Sequence, residues 1–270
     1  MNLRSIAVAL TLASGVCAAA FPAGAADPYL PKGTAPQTLQ VLPPPPAAGT
    51  GAEADDRAAF DRTRALKSTN PARWALAVND VEQTPEAAFI DFSCALGVQL
   101  DDGSAPVLSN LFARMQKDAR AVVDPPKDSF ARKRPFVGHD GDICVEKTDA
   151  LAATGSYPSG HTTLGWSWAL VLAELAPDRA TEILARGRAY GESRVVCGVH
   201  YPSDIEAGRT NGASLVAALH GSPEFRADLD KARAEVDAAR KAARVTPDAG
   251  MCKAHAATLA PTPWLAPTVK

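Results

Sequence analysis

The residues able to do chemistry here are two histidines, an aspartate, three separated long cations and a Ser-Gly pair. The stretch Ser193 to Asp204 reads SRVVCGVHYPSD. His200 and Asp204 are four positions apart, so on a helix or a tight turn their side chains share one face. A carboxylate in that place holds one imidazole nitrogen and leaves the other nucleophilic. Arg194, six positions before His200, adds a fork of donors suited to phosphate. Upstream, Pro158-Ser159-Gly160-His161 directly precedes an apolar run. Ser159 is a natural helix N-cap, and Gly160 lets backbone approach a ligand. The N–H groups of such a helix start attract anions, and His161 stands at their lip. Earlier still come Lys127 and Arg134-Pro135.

Brought together, Lys127, Arg134 and Arg194 would offer three cations to a phosphate group. The expected division of labour follows. His200 attacks phosphorus and becomes a phosphohistidine, and Asp204 fixes its tautomer. His161 protonates the leaving alcohol and then activates water. Lys127, Arg134, Ser159, Gly160 and Arg194 cradle the phosphate oxygens. The scheme requires neither metal nor cofactor, and an acidic optimum follows if His161 must start protonated.

Helices must position these groups. The pattern predicts helices over 52–67, 71–81, 85–96 and 105–122, the third beginning after Thr84 as N-cap. Residues 123–157, with Asp124-Pro125-Pro126 and several glycines, read as an irregular segment carrying Lys127 and Arg134. The run 162–176 is apolar on most faces and is expected central and buried. Helices over 180–193, 203–219 and 223–244 complete an all-α single-domain bundle, with strand signals nearly absent. The domain is placed at 52–244, between an extended Pro-rich arm over 26–51 and a loose Pro/Ala-rich tail over 245–270.

Composition sets the class of partner. Of 270 residues, 28 are Lys or Arg and 30 are Asp or Glu. Such balance argues against nucleic-acid binding driven by overall charge, so anion binding must come from a local cluster. Residues 1–25 read as a secretory signal: Arg4, an apolar run, then Ala23-Gly24-Ala25. No later run is long and apolar enough for stable membrane insertion. The mature protein is therefore expected to be soluble and exported. Four cysteines follow the signal, Cys94, Cys144, Cys197 and Cys252, and an oxidising compartment permits two disulfides in any of three pairings. Cys197, between Arg194 and His200, reads as structural.

The three segments together resemble a known family. Lys127-x6-Arg134-Pro135, Pro158-Ser159-Gly160-His161 and Ser193-Arg194-x5-His200-x3-Asp204 match the three-part signature of the type-2 phosphatidic acid phosphatase superfamily. Gly155 to Thr162 is similar to the local signature of its bacterial class A non-specific acid phosphatases. Leu42-Pro43-Pro44-Pro45-Pro46 and the stretch from Arg64 to Trp74 resemble the N-terminal half of that family. The resemblance implies a helical bundle of the phosphatidic acid phosphatase and vanadium haloperoxidase type, with the site at one end of its central helices. It also implies a metal-independent periplasmic phosphomonoesterase of broad specificity acting on small-molecule phosphomonoesters, and a homo-oligomer. Cys94, Cys252 and the tail fall outside the resemblance.

Overall fold

The computed structural model describes residues 27–242 and 246–259; the expected signal over 1–25 and the end of the tail lie outside them. Twelve helices follow in order: α1 Thr38–Val41, α2 Gly51–Arg64, α3 Leu66–Thr69, α4 Pro71–Asn79, α5 Pro85–Leu96, α6 Pro106–Phe130, α7 Asp149–Ala153, α8 Gly160–Leu175, α9 Ala180–Cys197, α10 Pro202–Leu219, α11 Pro223–Ala242 and α12 Ala249–Thr258. No strand occurs among the described residues. The all-α expectation holds, and α5 starts on the Thr84 cap, whose hydroxyl accepts from Ala87 N.

α8 is the axis. It is buried on most faces, as its unbroken apolarity predicts, and α9 and α10 pack along it. Small residues allow the approach: a Cβ on Gly165 would stand 2.3 Å from the Tyr190 ring, and one on Gly212 would stand 2.6 Å from the Thr163 carbonyl. α6 closes another side, itself covered by α11. The aromatic centre is Trp168, stacked on Phe112 at 5.6 Å and edge-on to Tyr190 at 6.1 Å.

Three expectations need correction. The fourth helix does not stop near residue 122 but runs through Pro125-Pro126 to Phe130. A proline inside a helix leaves the carbonyl four residues earlier without its donor. For Pro126 that carbonyl is Val122 O, and it accepts instead from Thr38 Oγ1 at 2.8 Å and Asn211 Nδ2 at 2.9 Å. With that carbonyl satisfied the helix continues, and Lys127 sits in its last turn rather than in a loop.

The N-terminal arm is packed rather than free, and it carries the single helical turn α1. Tyr29 N and Leu30 N both donate to the Asp118 carboxylate at 3.0 Å, and the Arg114 guanidinium lies 3.6 Å from the centre of the Tyr29 ring. Leu42 is buried against Tyr157, whose hydroxyl donates to Pro43 O at 2.6 Å. The tail, expected loose, instead carries α12. A Cys94–Cys252 disulfide ties that helix to α5, and Arg188 Nη2 donates to Leu259 O at 2.7 Å. The second disulfide joins Cys144 to Cys197, pinning the long α6–α8 connection to the end of α9. Of the three pairings the sequence allows, the structure selects this one.

Candidate active site

α9 ends on Gly198, whose φ of +83° is the left-handed turn a glycine takes without strain. The chain reverses through Val199 and His200 into α10, which begins with Pro202 at its first turn. The helix predicted over 180–193 thus extends to Cys197, so Arg194 projects from its last turn. Asp204 is the third residue of α10. Its Oδ2 accepts from Tyr201 N at 2.8 Å, the reach-back that caps a helix start, and lies 3.3 Å from His200 Nδ1. Its Oδ1 accepts from Arg132 Nη1 at 2.6 Å. Burial pushes the Asp204 carboxyl up, while Arg132 and the Tyr201 N–H pull it back.

The His200 tautomer follows from its neighbours. Arg134 Nη1 lies 3.2 Å from His200 Nε2, and a guanidinium can only donate. Nε2 therefore accepts, so the ring proton is on Nδ1 and faces Asp204. The lone pair at Nε2 is the reactive one. Burial first, then Arg134, Lys127 and Arg194, hold the imidazole well below its usual pKa, which favours the neutral ring.

The cations come from three elements. Arg134, just beyond α6, is held by Leu151 O and Val199 O at 3.0 Å each and by Thr154 Oγ1 at 3.0 Å. Burial lowers its pKa to about 10. Lys127 donates to Gly155 O, and burial, then Arg134, lower it to about 8. Arg194 is 2 % exposed; Nη1 donates to Asp80 O at 2.9 Å, Nη2 contacts Cys197 Sγ at 3.2 Å, and the buried Nε has no partner.

The Ser-Gly-His segment meets this cluster. Ser159 caps α8, accepting from Thr162 N at 3.3 Å, while its own N donates to Asp204 O at 3.0 Å. That backbone bond ties the start of α8 to the start of α10. Gly160 opens α8, and a cleft of about 90 Å³ lies beside it, lined also by Gln83, Gln116, Arg120 and Asp124. His161 Nε2 is 2.9 Å from Val81 O. A carbonyl only accepts, so Nε2 carries the proton and Nδ1 is the atom free to exchange one. Burial, then Arg194, with His200 and Arg134 adding, keep His161 well below its usual pKa. All eight residues singled out by spacing thus lie in one connected assembly at the end of α8, α9 and α10.

An assembly of this kind has relatives. Residues 108–227 match the family model of the PAP2 superfamily. An acid phosphatase of Zymomonas mobilis is 45% identical over 216 residues, covering 80% of this chain and 81% of that protein. A non-specific acid phosphatase of Providencia stuartii is 38% identical over 209 residues, covering 77% and 84%. Another, of Salmonella typhimurium, is 37% identical over 201 residues, covering 73% and 78%. This chain belongs to the acid phosphatases of the PAP2 superfamily.

The PAP2 signature leaves out several residues that hold the site. Arg132 reads in sequence as part of a solvated basic loop, yet it bridges Asp204 to Asp56 of α2, the latter at 2.7 Å. Asp56 also accepts from Ser203 N at 3.0 Å. Asp80 and Val81, after α4, supply the carbonyls bound by Arg194 and His161. Asp56 and Asp80 stand among many other charged positions, and no spacing relates them to the motifs. The arginine beside Arg134 was the one available hint.

Proposed function

We propose that phosphate-monoester hydrolysis by this chain runs through a covalent phosphohistidine on His200, takes its positive charge from fixed side chains rather than a metal, and occurs after export to the periplasm. The observation that carries this reading is the fixed tautomer of His200. Nδ1–H is turned to Asp204, and the Nε2 lone pair is turned to the Arg134 guanidinium, where a phosphate bound by that arginine would present its phosphorus.

In the first step the Nε2 lone pair bonds to phosphorus, the P–O ester bond breaks, and the leaving alkoxide takes a proton from His161. His200 becomes positively charged on phosphorylation, and Asp204 stabilises that charge. In the second step water attacks phosphorus and gives a proton to His161. The P–N bond breaks, phosphate leaves and Nε2 recovers its lone pair. Lys127, Arg134 and Arg194 face the peripheral oxygens, with the N–H groups at the start of α8. The unpartnered Arg194 Nε is a buried donor that a phosphate oxygen would satisfy.

The pH dependence follows from the directions given above. A nucleophilic His200 must be neutral, and its depressed pKa favours that form. His161 must be protonated, which its surroundings oppose while the site is empty. A bound phosphate anion counteracts Arg194 and Arg134 and raises the His161 pKa. Activity therefore rises in acid and falls as pH climbs through the His161 pKa of the complex.

Two disulfides agree with an oxidising compartment. Self-association belongs to the same reading, and light scattering on the purified chain measures it.

The deciding experiment is rapid quenching of mature protein turning over labelled phosphate ester. Acid-labile, base-stable phosphate on His200 is expected, with turnover unchanged by chelator. Label on another residue, or activity lost on chelation, overturns the reading.

A further inference from the structure

Three successive carbonyls in the short connection after α4 hold two side chains of the site and the core tyrosine Tyr190. Asp80 O accepts from Arg194 Nη1, Val81 O from His161 Nε2 and Glu82 O from the Tyr190 hydroxyl, each at 2.9 Å. Backbone carbonyls hold a position only if the turn that carries them is held. This turn is fixed by one fully buried carboxylate. Asp80 Oδ1 accepts from Arg186 Nη2 at 2.5 Å, and Oδ2 accepts from Arg186 Nη1 at 3.2 Å and Ser193 Oγ at 2.6 Å. Ser193 Oγ in turn accepts from Arg73 Nη1 at 2.9 Å. Arg186, Ser193 and Arg194 all belong to α9, so the carboxylate locks the turn to the helix that carries the phosphate-binding arginine.

The geometry points to Asp80 as a positioning residue for the general acid: its carboxylate sets the 80–82 turn, and the turn's carbonyls orient His161 and Arg194 toward the phosphate. This inference rests on His161 serving as the acid. Asp80 touches no reacting atom and acts only through the backbone. A carbonyl accepting from Nε2–H stabilises the protonated imidazole, opposing the charges of Arg194 and Arg134 that face it. Around Asp80 the charged and titratable groups include Arg186, Arg73, Arg194 and His255 of α12, with Asp91 across Arg186 at 3.3 Å and Glu192 and Arg188 beyond Arg73.

A leaving nitrophenolate departs without a proton, whereas an alkoxide needs one. Displacing His161 therefore harms the transfer of phosphate to His200, read in kcat/KM, selectively for alkyl esters; its later role with water is common to both esters, and a folding defect scales both substrates alike. The test is kcat and KM of mature Asp80→Asn protein on glycerol phosphate and nitrophenyl phosphate across pH. We expect kcat/KM on the alkyl ester to fall about 10- to 100-fold, and on the nitrophenyl ester less than about fivefold. The alkaline limb on the alkyl ester should move to lower pH, because a His161 without its carbonyl loses its proton earlier. If Asp80→Asn does not fold, Ser193→Ala decides: it removes one bond to the carboxylate and should show the same selectivity at about two- to fivefold. Equal losses on both esters with an unmoved pH limb, in whichever variant folds, overturn the inference alone. A wild-type protein that releases phosphate from neither ester overturns the functional reading instead.

Discussion

Two buried aspartates stand behind the phosphate-binding groups, and they work differently. Asp204 touches the nucleophile: one carboxylate holds His200 Nδ1, the N–H of Tyr201 just before its own helix, and Arg132. Asp80 touches neither histidine. It is bound twice by Arg186 and once by Ser193, and reaches His161 through a peptide carbonyl. Both are fully buried and both are held by an arginine from a distant segment. The difference is whether the carboxylate is part of the electronic pathway of the reaction or only of its geometry. A residue in the pathway should matter for every substrate; a residue that sets geometry should matter most where the positioned group is most needed.

The largest effect tests the pathway itself. His200→Ala removes the nucleophile and should reduce phosphate release by more than about 10³-fold on any ester, measured in a single-turnover assay. Near-normal activity in that variant would remove Asp204 from the comparison altogether. Next comes Asp204→Asn. The amide can present its NH₂ to His200 and reverse the tautomer, and Arg132 loses one of its two carboxylates. We expect about 10²- to 10³-fold loss, equal on alkyl and nitrophenyl esters. If that loss instead favoured one ester, as expected for Asp80→Asn, the two aspartates would not be distinct in kind.

The distinction matches what the sequence reveals. Asp204 sits four residues after His200, and a period that puts two side chains on one face is readable without coordinates. Ser159 as a cap, Thr84 as a cap and the apolar face of α8 are legible for the same reason: each is a local pattern with a local cause. Asp80 is bonded to residues more than a hundred positions away, and the signal that finds it is three-dimensional. Lys127 shows the same limit from the other side. Pro125-Pro126 reads as a break because the lost backbone bond is local, while the donors that replace it, on Thr38 and Asn211, are remote. The buried arm fails in sequence likewise, since nothing near Tyr29 announces Asp118.

A smaller effect should separate charge from contact at Arg134. Its guanidinium helps hold His200 below its usual pKa. In Arg134→Gln the His200 pKa rises, so the nucleophile becomes protonated at higher pH and the acid limb of kcat/KM moves upward. Its rate at the optimum should also fall by about 10²-fold from the lost phosphate contact. An unmoved acid limb would mean that the limb reports a group other than His200. Asp80→Asn should move the alkaline limb instead, so the two limbs assign the two histidines separately.

The smallest effect on rate should come from the tail. The Cys94–Cys252 disulfide joins residues 158 positions apart and holds α12 against α4 and α5. Closing so long a loop restricts the unfolded chain, and removing the bond with Cys94→Ser and Cys252→Ser together should cost about 2–4 kcal/mol of stability, read as a lower denaturant midpoint. His255 of α12 lines a cavity of about 350 Å³ with Asp91 and Arg186, the same arginine that grips Asp80. That adjacency makes the double serine variant a sharp probe. With kcat on glycerol phosphate and nitrophenyl phosphate both kept within about twofold, Arg186 holds Asp80 without help from the tail. Selective loss on glycerol phosphate would extend the positioning network from His161 through Asp80 and Arg186 to the C-terminal helix.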